Sequence, residues 1–126
     1  MTYDQINPVL RRVLGCFEGF RKVGFRADDL YCEPARSPGL PAGQLAVFIT
    51  LKTQGQEFRI ECGQWDESAV DDLRVQWRAT CQAVNADEVP QADMDRIWQE
   101  SVIFADSVGF VLALGRKGIR PPKTLS

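Results

Sequence analysis

Over residues 45–52 the side chains alternate without a break, with Leu45, Val47, Ile49 and Leu51 on one side of an extended chain and Ala46, Phe48, Thr50 and Lys52 on the other. A period of two is the signature of a strand, and an all-apolar set on one side requires that this face be covered. Thr53-Gln54-Gly55-Gln56 supplies a turn, after which Phe58, Ile60 and Cys62 alternate with Glu57, Arg59 and Glu61. The two runs predict an antiparallel hairpin with one apolar and one mixed face. The rest of the fold is decided by what covers the apolar face.

The flanking segments change period. Asn7-Pro8 places an N-cap residue before a proline suited to the first helical position, and Val9, Leu10, Val13, Leu14, Phe17 and Phe20 follow as one apolar stripe ending near Gly24. Gly15 and Gly19 lie four apart within it. Each costs a helix about 1 kcal/mol against alanine, so the pair predicts close approach of another element on that side. Downstream, Asp66 or Ser68 caps a second helix along Val70, Leu73, Trp77, Cys81 and Val84, with Glu67, Asp71 and Asp72 near its positive end. Pro90 closes the break that follows, and a third helix is predicted over 91–114 along Met94, Ile97, Trp98, Val102, Ala105, Val108 and Leu112. Ile103, Phe104, Phe110 and Val111 make its second half apolar almost all round, which fits deep burial or oligomerisation.

A short extended segment around Leu30, Tyr31 and Cys32 adds a third strand. Residues 34–43 hold three prolines and two glycines and read as an irregular loop. The expected fold is therefore α+β, a two-layer sandwich in which a small antiparallel sheet of two to three strands or more is covered on one face by three helices, in the order α-β-β-β-α-α. With 126 residues, 44% of them hydrophobic, the chain is expected to form one domain over 1–115 followed by a basic, flexible tail over 116–126.

The start, MTYDQINP, lacks the basic and apolar regions of a signal peptide. The least polar stretch, 101–115, is interrupted by Asp106 and is shorter than the roughly 20 apolar residues that span a bilayer. A cytoplasmic protein without membrane contact is expected. Cys16, Cys32, Cys62 and Cys81 form no CxxC pair, so reduced structural thiols are expected rather than a zinc or dithiol motif. Cys62 alone, at a strand end before a helix, has a position that a helix dipole can activate, yet its phase with Phe58 and Ile60 points inward.

The chain contains no histidine. Ser-His-Asp and Cys-His catalysis within the chain is thereby excluded, as are HExxH and Cys₂His₂ zinc sites. The carboxylate pairs Asp28-Asp29, Asp66-Glu67, Asp71-Asp72 and Asp93-Asp95 sit mostly where helices begin, and neighbours along a helix do not converge on a metal. No cofactor and no metal are expected.

The net charge of −2 is unevenly spread. Residues 1–26 hold five basic and two acidic groups, whereas 66–100 hold three basic and nine acidic groups. Arg11, Arg12, Arg21 and Lys22, with Arg116 and Lys117 of the tail, are the candidate anion-binding set if the two ends meet. A pI near 5.1 disfavours nucleic acid as the partner. The candidate partner-binding set is the mixed sheet face, Phe48, Thr50, Lys52, Arg59 and Glu61, together with Trp65 and the loop residues Pro38 and Leu40. Trp77 and Trp98 lie on apolar stripes as core anchors.

By subtraction the sequence predicts a non-catalytic accessory module of a bacterial-type cytoplasmic protein that binds another protein or its own copy. A small-molecule binder or cofactor-independent enzyme working through carboxylates is the second reading. A nucleic-acid accessory protein using the basic termini is the third.

Overall fold

The computed structural model of the chain describes residues 1–22, 30–53 and 56–105, with the backbone alone described at 22, 51–53, 56, 58 and 102–105. It shows an α+β fold with three helices and a three-stranded antiparallel sheet, in the order α1 (Pro8–Lys22), β1 (Leu30–Ala35), β2 (Gln44–Thr53), β3 (Gln56–Asp66), α2 (Val70–Asn85), α3 (Gln91–Ala105). The part of the third helix expected beyond residue 105 and the tail at 116–126 lie outside the described residues. No described helix is long and apolar enough to cross a membrane.

Helix starts follow local chemistry. Asn7 Oδ1 accepts the Val9 N–H at 2.9 Å, which caps α1 with Pro8 at its first position. Asp66 accepts from the Ser68 N–H and caps a 3-10 turn at Glu67–Ala69 that leads into α2. The hydrogen bonds from the Ser68 hydroxyl and amide hold the Asp66 carboxyl below its ordinary pKa. Pro34 falls inside β1 rather than in the loop expected there, and β1 is an edge strand, where a missing N–H is tolerated.

β2 is central, pairing with β1 from Leu30↔Leu51 to Ala35↔Ala46 and with β3 from Gln44↔Asp66 to Thr53↔Gln56. The β2–β3 register shifts between Val47 and Phe48, because Phe48 faces Glu61 while Val47 faces Gly63. Cys62 is the extra residue of a β-bulge. The bulge restores parity: Ile60 and Cys62 face the helices before it, and Gly63 and Trp65 face them after it. Gly63 has φ +152, a conformation that L side chains rarely adopt, and a Cβ there would lie 3.0 Å from Val9. The Cys62 carbonyl accepts from Arg12 of α1 at 3.3 Å, so the guanidinium supplies a donor at the irregularity.

α1 occupies the centre of the molecule. Val9 and Arg12 approach Gly63 and Cys16 hydrogen-bonds with Cys62, so this side of the helix meets the sheet. Gly15 and Gly19 meet Ser101, Ile97 and Trp98 of α3. Leu14 and Phe17 face the side where Trp77 of α2 stands. A helix covered on three sides must be apolar on most of its circumference, and Leu10, Val13, Leu14, Cys16 and Phe20 are all buried.

The amino-terminal turn is pinned to α3. Tyr3 lies between the guanidinium groups of Arg11 and Arg96, 4.1 and 3.7 Å from its ring centroid, and its hydroxyl donates to Glu100. Its backbone N–H donates to Asp93 at 3.0 Å.

Candidate functional site

Among the described residues, partly buried or exposed side chains of mixed chemistry meet on the outer face of the sheet and in a groove between β1 and α2. On the outer face, Arg59 of β3 lies over the Phe48 ring at 5.4 Å and pairs with Glu57 at 2.8 Å and Glu33 at 3.5 Å. Cross-strand register creates this arrangement, since Glu33↔Phe48 and Phe48↔Glu61 are partners and Arg59 is opposite Thr50. Tyr31, opposite Thr50 on the other edge, is 46% exposed. The exposed Glu61 has no ion pair among the described residues, so carboxylates outnumber guanidinium groups on this face.

The structure divides the partner-binding set read from the sequence. Phe48, Arg59 and Glu61 share the outer face, with Pro38 exposed and Leu40 half-buried in the loop at 36–43. The Lys52 side chain lies outside those described. Thr50 and Trp65 are corrections, because both are buried. Trp65 is turned inward by the bulge, and its indole N–H donates to the Ala69 carbonyl at 2.9 Å.

Thr50 is shut in on the central strand, and its hydroxyl has no hydrogen-bond partner among the described residues. An unsatisfied buried hydroxyl costs about 1–3 kcal/mol. Thr50→Val is therefore expected to raise stability by about 1 kcal/mol, read as a higher midpoint with unchanged slope in urea denaturation. An equal or lower midpoint would show that the hydroxyl is satisfied.

The anion-binding set is occupied internally. Arg11 stacks on Tyr3 and donates to its carbonyl at 3.1 Å, Arg12 donates to Cys62, and Arg21 pairs with the buried Glu18. The Lys22 side chain and Arg116 and Lys117 are outside the described residues. The described members spread around α1 instead of converging on one point.

The groove was not legible as a site in the sequence. A cavity of about 380 Å³ lies between Cys32 and Pro34 of β1 and Leu73, Trp77 and Cys81 of α2. A second cavity of about 160 Å³ shares Cys32, Trp77 and Cys81 and runs inward to Leu14, Phe17 and Ile49. The i, i+4 stripe Leu73, Trp77, Cys81 was the available signal, and it reads equally as a core-facing stripe.

The thiols here are passive. Burial pushes the Cys32 thiol up to about 12, aided by Cys81 and Glu33, and burial also raises Cys81. Cys62 is raised by its hydrogen bond with Cys16 and then by burial. All four cysteines are free. Against an ordinary thiol near 8.5, a value of about 12 lowers the thiolate fraction of Cys32 at pH 8 roughly a thousandfold. Iodoacetamide at pH 8 is expected to label Cys32 that much more slowly in the native protein than in urea, as read by peptide mass spectrometry. Equal rates would contradict the buried placement. The unfolded thiol ionises first, so this group also predicts a loss of stability as pH rises above about 8.5.

Among the described residues no group of three or more cysteines and carboxylates is placed to hold a metal ion. No protein-family model, curated protein or solved structure matches the chain.

Proposed function

We propose that this protein is a non-catalytic binding module that contacts another protein through the outer face of its sheet. The carrying observation is Tyr31, 46% exposed beside the Arg59-covered Phe48 on the face opposite the α1 and α2 contacts. Exposed aromatic side chains next to a guanidinium are the residue types that anchor protein interfaces. The surplus of carboxylates, with Glu61 unpaired among the described residues, favours a partner that presents a cation beside an apolar contact. An accessory role in the cytoplasm is part of the same reading.

Photocrosslinking in the source cell tests it. A benzophenone amino acid at position 31 is expected to give one discrete adduct, lost on adding Glu61→Lys, whereas the same probe at the 62% exposed Val75 of α2 gives none. No adduct at 31, or the same adducts at 31 and 75, would overturn the proposal. An adduct at twice the chain mass identifies self-association through this face instead.

A further inference from the structure

The geometry points to a ligand site for a small apolar monocarboxylate in the groove between β1 and α2, with the carboxylate on Arg74 and Arg78 and the apolar body alongside Trp77. The site does not rest on the sheet-face reading, since the groove opens on the helix-bearing side of β1, although Tyr31 also lines the inner cavity.

α2 arranges the two halves of such a site. Leu73, Trp77 and Cys81 recur at four-residue spacing and turn one stripe toward β1. Arg74 and Arg78, each one position further along, stand on the neighbouring stripe and line the same cavity. Guanidinium groups four residues apart on a helix lie on one side of it, where a single carboxylate can accept from both. Arg78 has no ion pair among the described residues, and Arg74 has only a 3.6 Å contact to Asp71, which is fully exposed. Neither cation is therefore held by a buried partner.

Charge and polarity select the ligand class. Among the described residues, those lining the two cavities include no aspartate or glutamate. Inward from the arginines the described walls are mostly apolar, with an indole, two neutral thiols, Leu14, Phe17 and Ile49, and Tyr31 and Asn85 are the polar residues among them. Such walls offer contact to methylene or aryl groups but little to a sugar or a polyphosphate. A cavity of about 380 Å³ adjoining one of about 160 Å³ matches a molecule with one charged end and a body that continues past Trp77. Arginine favours a carboxylate because its planar donors match both oxygens.

Titration of the purified full chain with sodium decanoate, followed by tryptophan fluorescence, tests the site. Saturable binding is expected, with the signal lost in Trp77→Phe. Arg74→Gln/Arg78→Gln is expected to weaken decanoate at least tenfold while leaving 1-decanol within twofold, and decylammonium is expected to bind at least tenfold more weakly than decanoate. Saturating decanoate should slow iodoacetamide labelling of Cys81 at least fivefold, which locates the ligand even where fluorescence is ambiguous. Absence of saturable binding, equal affinity for decylammonium, an unaffected arginine double variant, or unprotected Cys81 would each overturn the inference. Glu61 lines neither cavity, so loss of the position-31 adduct in Glu61→Lys reads the sheet face separately from these outcomes.

Discussion

Replacing Gly15 by alanine is expected to lower the stability of this protein by about 2 kcal/mol, although the same change in an exposed helix stabilises. A Cβ at Gly15 would stand 1.4 Å from Ser101 Oγ, 2.2 Å from Ser101 Cβ and 3.0 Å from the Ile97 carbonyl oxygen. The first overlap is not relieved by a rotamer change, because the Ser101 Cβ is itself inside contact distance. α1 and α3 must move apart, and overpacking of this kind costs about 3 kcal/mol, against about 1 kcal/mol recovered from helix propensity. Thermal unfolding should register a fall of about 8 °C. The double variant Gly15→Ala/Ser101→Gly removes both serine overlaps, so its stability should exceed the sum of the single changes. If Gly15→Ala is neutral or stabilising, the close approach of the two helices is wrong. Gly19 is a milder case, since its Cβ would meet only the Trp98 ring edge at 3.0 Å.

Gly63→Val is expected to cost about 3 kcal/mol, from two separable causes. The backbone at φ +152 opposes any L residue, and a branched one most, at about 2 kcal/mol. The new side chain also meets Val9 Cγ2 at 3.0 Å and Cγ1 at 3.3 Å, which adds about 1 kcal/mol. Combining Gly63→Ala with Val9→Ala separates the two, because removing the Val9 methyls relieves the collision and leaves the backbone strain. Urea denaturation of the four corners of that cycle should give a favourable coupling of about 1 kcal/mol. A coupling of zero, or full stability in Gly63→Val, would show that the bulge does not need its glycine. Since the bulge carries Trp65 to the inner face, a variant that resolves it into regular pairing would also expose that indole and shift its fluorescence to the red.

The contrast between these glycines marks what the sequence reveals. Gly15 and Gly19 were readable because two poor helix formers in one apolar stripe demand a compensating neighbour. Which neighbour was not readable, since α3 lies about 80 positions away and nothing local ties Ser101 to Gly15. The alternation of 45–52 and 57–62 located the hairpin, but the bulge at Cys62-Gly63 reverses the side-chain phase, so Trp65 appeared free to serve a partner when it is in the core. Thr50 misled for a related reason: its phase placed it on the outer face, while burial there is decided by Tyr31 and Arg59 on the flanking strands. Arg11, Arg12 and Arg21 looked like an anion-binding group, and each is engaged by a partner that only tertiary folding brings near. The groove depends on how far α2 stands from β1, a distance without any local signature.

The meeting of α1 with α3 has a consequence for synthesis. During translation the glycine-bearing side of the first helix emerges long before the residues that cover it, and Ile97, Trp98 and Ser101 follow only after the whole sheet and α2 have been made. Until then that side of the helix has no partner, and it is open to the ribosome surface, to chaperones or to the same helix on a neighbouring nascent chain. Contacts that join the first and last described helices also raise contact order, which slows folding relative to a bundle closed by sequential neighbours. The part of this molecule that ends up most enclosed is thus the part that waits longest for its surroundings.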